Sequence, residues 1–159
     1  PERIHGLVLS ATSAAFGGRC GDWQEKFVSD RVAPLDTGLT IPQYAPKVLQ
    51  KMMNPDAEGS AVELVLQVVS RMREETFRAA IEAITHFEGR DILPKMNIPV
   101  LCIAGALDLT AAPPLVMEKM ANKITNAEYQ CMSNVGHFGW AENPQEFNQL
   151  VIDFIQRKF

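Results

Sequence analysis

The chain has 159 residues, 47% of them hydrophobic and 21% charged, with a formal net charge of -4; this is the composition of one ordinary globular domain, not of a disordered or fibrous chain. An acidic balance with no run of Lys or Arg gives nucleic acid or an anionic membrane surface no electrostatic reason to bind, so neither is expected as a partner. No apolar stretch approaches the roughly 18 residues of a membrane span, and Cys20, Cys102 and Cys131, an odd count without a close-spaced pair, argue against a disulfide framework or a zinc site and for a reducing, cytoplasmic setting.

The chain opens on Pro1-Glu2-Arg3-Ile4, with no initiator Met and nothing like a signal peptide, and it is expected to start inside a longer sequence. Residues 4–10 are almost continuously apolar, the pattern of a strand buried on both faces of a parallel sheet. Small residues and glycines over 11–21 predict a loop. From 22 to 88 the pattern is helical, and turn signals at Pro34, Asp36-Thr37-Gly38, Pro42, Pro46, Asn54-Pro55 and Gly59 divide it into four helices. The first two are expected over 23–32 and 41–53. Residues 61–69 are apolar on nearly every face and predict a helix sandwiched between others, with a strand as the alternative. Phe77, Ala80, Ile81, Ile84 and Phe87 at helical spacing mark the fourth helix.

After Gly89 sheet chemistry returns. A strand is expected over 98–104, a helix over 113–124 with Pro113 or Pro114 in its opening turn, and a strand over 128–132. The last helix, 144–157, has Asn143 as N-cap, Pro144 at its first position and Glu146 three residues on, a capping box. Strand, helix, strand, helix is the βαβ rhythm, so the architecture is α/β, three parallel strands with flanking helices and a helical insertion between the first and second.

Two residues stand out chemically. Asp108 follows the second strand just past Gly105, and His137 follows the third on the turn Asn134-Val135-Gly136-His137. Parallel strands end on one edge of the sheet, which brings residues a whole βα unit apart into reach of one another. A histidine acts as general base for a hydroxyl nucleophile when a carboxylate fixes its tautomer and stabilises the imidazolium. His5, in the first strand, and His86, on the fourth helix, read as packed or solvated histidines.

The runs Ile98-Pro99-Val100-Leu101, Gly105, Asp108 and Pro113, then Gly136-His137 and Glu142-Asn143-Pro144-Gln145-Glu146-Phe147-Asn148, resemble the C-terminal part of the α/β-hydrolase superfamily. Residues 1–9 are similar to the strand that follows the nucleophile-bearing helix in those enzymes. The resemblance implies a hydrolase core over 1–21 and 89–159 and a helical cap over 22–88. Residues 3–11 and 87–93 look most like 3-oxoadipate enol-lactonases and related esterases. It implies catalytic roles for Asp108 and His137, a substrate pocket under the cap lined by Phe138, Trp140, Trp23 and Met52, and no metal or cofactor.

The nucleophile elbow of the family, Gly-x-Ser-x-Gly between strand and helix, is absent, as is the oxyanion-hole loop. Ser10 and Ser13 lack flanking glycines, and Ser133 sits on the loop of the histidine itself. Gly18-Arg19-Cys20-Gly21-Asp22 approaches a Cys elbow but has Asp where the second Gly belongs. Asp22 is the alternative to Asp108 as the acid.

The expected function is hydrolysis of a small carboxylic ester or lactone by a Ser-His-Asp mechanism whose nucleophile lies outside this chain. Carbon–carbon bond hydrolysis, haloalkane dehalogenation and a non-catalytic, ligand-binding role are the alternatives. The chain alone is expected to be inactive, and either to self-associate or to pair along its first strand with the missing N-terminal half.

Overall fold

Three short segments, the middle one continuously apolar, become one parallel sheet in the computed structural model, which describes residues 3–16 and 21–159. The strands β1 (Leu7–Ser10), β2 (Val100–Gly105) and β3 (Ala127–Met132) lie in the order β1-β2-β3, with Leu7 level with Val100 and Val100 level with Ala127. Because β2 pairs on both sides, all of its residues are buried. Its alternate side chains feed two cores. Val100, Cys102 and Ala104 pack with Met117, Met120 and Ala121 of helix α5 (Pro114–Ala121), while Leu101 and Ile103 pack with Met132 of β3, Val135 beyond it and Phe154 of helix α7 (Pro144–Lys158). Burying such a side chain contributes about 1.5–3 kcal/mol. The Cys102 thiol is pushed up to about 11 by burial, as suits an inert packing residue.

Residues 4–10 were expected to form a strand buried on both faces. β1 starts at Leu7 and is only half-buried, because it is an edge strand paired with β2 alone.

Between β1 and β2 run the helices α1 (Gly21–Asp36), α2 (Ile41–Gln50), α3 (Ser60–Ser70) and α4 (Glu74–His86), then a 3-10 helix over Arg90–Lys95 that the hydrophobic pattern does not predict. Two prolines read as breaks lie inside helices. Pro34 sits in the last turn of α1, where its fixed φ suits the helix. The chain stops instead at Gly38, whose φ of 99° and N–H bond to the Leu35 carbonyl end the helix in left-handed geometry. Pro46 lies within α2, held there by the buried Ile41 and Ala45, and α2 ends at Gln50, short of the expected 53.

Helix α3 is not sandwiched. Val62, Val65 and Val69 are buried on one face, whereas Leu64 and Val68 are exposed on the other, since no described element covers them. In α4 only Phe77 of the predicted apolar stripe is buried, against Leu35, Ile41, Ala45 and Val69; Ile84 and Phe87 are exposed.

A short helix α6 (Gly139–Glu142) follows the histidine loop. Asn143 then caps α7 by accepting the Glu146 N–H at 3.2 Å, but the capping box is only half formed. The Asn143 backbone N–H already donates to the Gly139 carbonyl at the end of α6, so the Glu146 carboxylate takes the Asn143 side-chain amide instead, at 2.8 Å. Among the described residues no helix is long and apolar enough to cross a membrane.

Candidate functional site

The site begins where β2 and β3 stop. Beyond Gly105 the chain makes a tight turn, with the Asp108 N–H on the Gly105 carbonyl at 3.1 Å, and this aims the Asp108 carboxylate inward to complete burial. One oxygen, Oδ1, accepts the N–H of Ala111 at 2.9 Å; the other, Oδ2, accepts that of Ala112 at 3.0 Å and Nδ1 of His137 at 2.7 Å. Burial acts most strongly on this group and opposes its charge, but His137 and the two amides together hold the carboxyl below its ordinary value of 3.8. An ionised carboxylate only accepts, so the shared proton sits on Nδ1, and in the neutral ring the lone pair is then on Nε2.

His137 is held from its own side by close backbone packing. An added Cβ on Gly105 would strike the carbonyls of Gly136 and Val135, and one on Gly136 would strike the Met52 carbonyl. Strand end, histidine loop and the segment after α2 therefore stack backbone on backbone, which only glycine at both positions permits. The His137 N–H donates to the Met52 carbonyl at 2.8 Å. Glu142, which sequence reading treated only as part of a motif, accepts the N–H groups of Asn54, Gly136 and Phe138 at 2.7, 2.8 and 2.9 Å. The signal for it was an acid five residues past the histidine, close enough to reach back to the amides on either side of it.

The His137 ring, with its side chain 23% exposed, reaches a cavity of about 830 Å³. Among the described residues nothing hydrogen-bonds Nε2. Trp23 and Met52 line this cavity with His137; Phe138 and Trp140 do not. Phe138 meets the His137 ring edge-on, its centroid 4.9 Å away, and packs on the Met53, Val62 and Val65 cluster, while Trp140 is exposed beside it. The turn into α6 sends these side chains away from the cavity. Arg31, Arg90, Lys119 and Lys123 stand in the cavity wall, where no described Asp or Glu lies; Arg90 is paired with Glu88 at 2.6 Å, which leaves Arg31, Lys119 and Lys123 to favour an anionic over a cationic guest.

Of the remaining candidates Ser13 shares the cavity wall with His137, and none in the described residues is hydrogen-bonded to the pair. Asp22 is exposed in the first turn of α1. The Ser13 hydroxyl donates to the Ala15 carbonyl at 2.8 Å, Ser10 ends β1 and Ser133 is exposed. Exposed His86 is bonded through Nδ1 to the Glu82 carbonyl at 2.8 Å, and His5 is exposed. Cys20 lies outside the described residues. Among the described residues no group of His, Cys, Asp and Glu is gathered so as to hold a metal ion.

No protein-family model matches the chain. It is 22% identical over 161 aligned positions to a pimeloyl-[acyl-carrier protein] methyl ester esterase of Neisseria meningitidis, covering 98% of this chain and 61% of that protein. To the 3-oxoadipate enol-lactonase 2 of Acinetobacter baylyi it is 27% identical, covering 99% and 57%. Among solved structures, a hydrolase from Pseudomonas aeruginosa superposes with a TM-score of 0.81 at 25% identity, and the enol-lactonase of Burkholderia xenovorans with 0.73 at 25%, each covering 98% of this chain and 57% of its own. The chain thus spans about three-fifths of the length of the relatives it matches. Its three parallel strands and flanking helices are the C-terminal part of an α/β-hydrolase fold.

Proposed function

We propose, from the α/β-hydrolase fold that this chain shares with those proteins, that it carries the acid and histidine of a cofactor-independent hydrolase of a small carboxylic ester or lactone. The observation that carries this reading is the 2.7 Å contact between Asp108 Oδ2 and His137 Nδ1 at the edge of the cavity. In this reading the nucleophile is a serine outside the chain. The extent of the relatives supports that, as does the lack of any hydroxyl or thiol bonded to Nε2 among the described residues.

Nε2 takes the serine proton as Oγ bonds to the carbonyl carbon. Asp108, ionised and unable to turn, stabilises the imidazolium. The proton then passes from Nε2 to the departing alkoxide oxygen as the acyl–oxygen bond breaks. Water repeats the sequence: Nε2 removes its proton, the hydroxide attacks the acyl carbon, and the serine leaves with the proton returned. Helices α1 to α4 act as a cap, an assignment supported by the cavity that Trp23, Met52 and Ile84 share with Ala11 and His137 at the strand ends. Edge strand β1, half-buried, is the seam along which the N-terminal portion or a second copy docks.

An aryl-ester assay with size-exclusion chromatography tests this. The chain alone should associate and show no turnover. A longer protein that includes the nucleophile should lose about 10³–10⁴-fold in kcat on Asp108→Asn or His137→Ala, and Met52→Ala should change substrate choice more than stability. Turnover by a monomer of this chain, abolished by Ser10→Ala or Cys20→Ala, would overturn the external nucleophile.

A further inference from the structure

A histidine that must act through Nε2 needs its ring held against rotation and its backbone held against drift, and Asp108 supplies only the first of these. The carboxylate of Glu142 supplies the second. Its Oε2 accepts the N–H of Gly136 and its Oε1 the N–H of Phe138, so the backbone N–H groups of both neighbours of His137 are held by one side chain. Oε2 also accepts the N–H of Asn54, from the segment that follows α2.

That segment grips the same loop at two further points: the His137 N–H on the Met52 carbonyl at 2.8 Å, and the Asn54 side-chain amide on the Asn134 carbonyl at 2.7 Å. Met52 also lines the cavity. The helical insertion and the histidine loop are therefore joined through the Glu142 carboxylate as well as these two bonds, two residues from a side chain that an occupant of the cavity would touch.

We infer that Glu142 is a positioning residue, which sets the aim of the His137 imidazole and couples that aim to the helical insertion; this rests on the proposed function of His137 as general base. The chemistry is specific to a carboxylate. Three donors converge on two oxygens, and each bond is charge-assisted. A glutamine turns its –NH2 toward one of those donors and leaves that N–H without an acceptor, whereas an aspartate is one methylene too short to span from α6 to the loop.

NMR on the full 159-residue chain tests the coupling without needing turnover. In the wild type, the Nδ1–H of His137 should be a protected resonance shared with Asp108, and the amides of Asn54, Gly136 and Phe138 should exchange slowly. Glu142→Gln and Glu142→Ala should speed exchange of the Gly136 or Phe138 amide by about tenfold or more, the loss expected for a hydrogen bond to a charged group, and should shift or broaden the Nδ1–H signal. Asn143→Ala removes the neighbouring N-cap and provides the control: it lowers stability but should leave the Nδ1–H signal unchanged.

If the Glu142 variants do not fold, Asn54→Ala, which removes the bond to the Asn134 carbonyl together with the one its side-chain oxygen accepts from the Asp56 N–H, should move the same resonances in the same direction by less. An unmoved Nδ1–H signal in the folded Glu142 variants, or in Asn54→Ala if those do not fold, would overturn the inference and leave the proposed function standing. A wild-type His137 with no Nδ1–H shared with Asp108 would overturn both.

Discussion

The sheet region and the helical insertion bury their apolar residues in opposite ways. Strand β2 is wholly buried, with Met117 on one side and Phe154 on the other at no more than 1% exposure. The insertion divides its apolar residues between two smaller clusters, leaves Leu64 and Val68 in solvent, and encloses much of the cavity wall. The contrast follows from covering. A central parallel strand has neighbours on four sides, whereas α3 in the insertion keeps a face uncovered. The sheet therefore holds Asp108 and His137 in fixed relation, and the insertion, joined to them through residues 52–54, shapes the space beside them.

Core truncation should sharpen that comparison most. Phe154→Ala is expected to cost about 3–5 kcal/mol in chemical denaturation, because densely packed neighbours cannot collapse into the space. Phe77→Ala, in the insertion and in the cavity wall, should fall at or below the lower end of that range. Equal costs would break the contrast.

Next comes Asp108, whose fixed position depends on the sheet. Its folded carboxyl titrates below 3.8, so the folded state binds fewer protons than the unfolded one across that window and stability rises with pH there. The contribution is complete above the unfolded value and disappears as the pH falls through the lowered folded value. Denaturation of the wild type and Asp108→Asn at a series of pH values should show a gap near neutrality that narrows on acidification. A gap independent of pH would mean that the charge on Asp108 contributes nothing to stability.

A smaller effect is expected at the seam. Gly136→Ala forces a Cβ against the Met52 carbonyl and should cost about 1–3 kcal/mol, as overpacking does. It should also displace the His137 ring, visible as a changed Nδ1–H resonance. Smallest of all, Leu64→Ser or Val68→Ser on the open face of α3 should stay within about 0.5 kcal/mol in the same assay. A large loss there would mean that something covers this face in solution.

Much of this was legible in the order of residues. The near-continuous apolar run of β2, Gly105 before the acid and Gly136 before the histidine announce strand ends, because buried strands and close backbone approaches tolerate few residue types. Asp108 and His137 were legible for the same reason. The prolines misled, since Pro34 and Pro46 obey a local rule that surrounding helix packing overrides. Phe138 and Trp140 flank the histidine in sequence, but adjacent residues on a turn project in different directions, and it is Trp23 and Met52, distant in the chain, that share the cavity with it.

What the amino-acid order determined by itself is therefore the local part: which segments alternate or repeat as strand and helix, where glycine must stand, and that an acid and a histidine end neighbouring parallel strands. Only the tertiary structure decided that Glu142 gathers three amides from two separate segments and that α3 keeps one apolar face open. Each of these depends on which surfaces meet across the fold, and burial, unlike periodicity, is a property of the partner as much as of the residue.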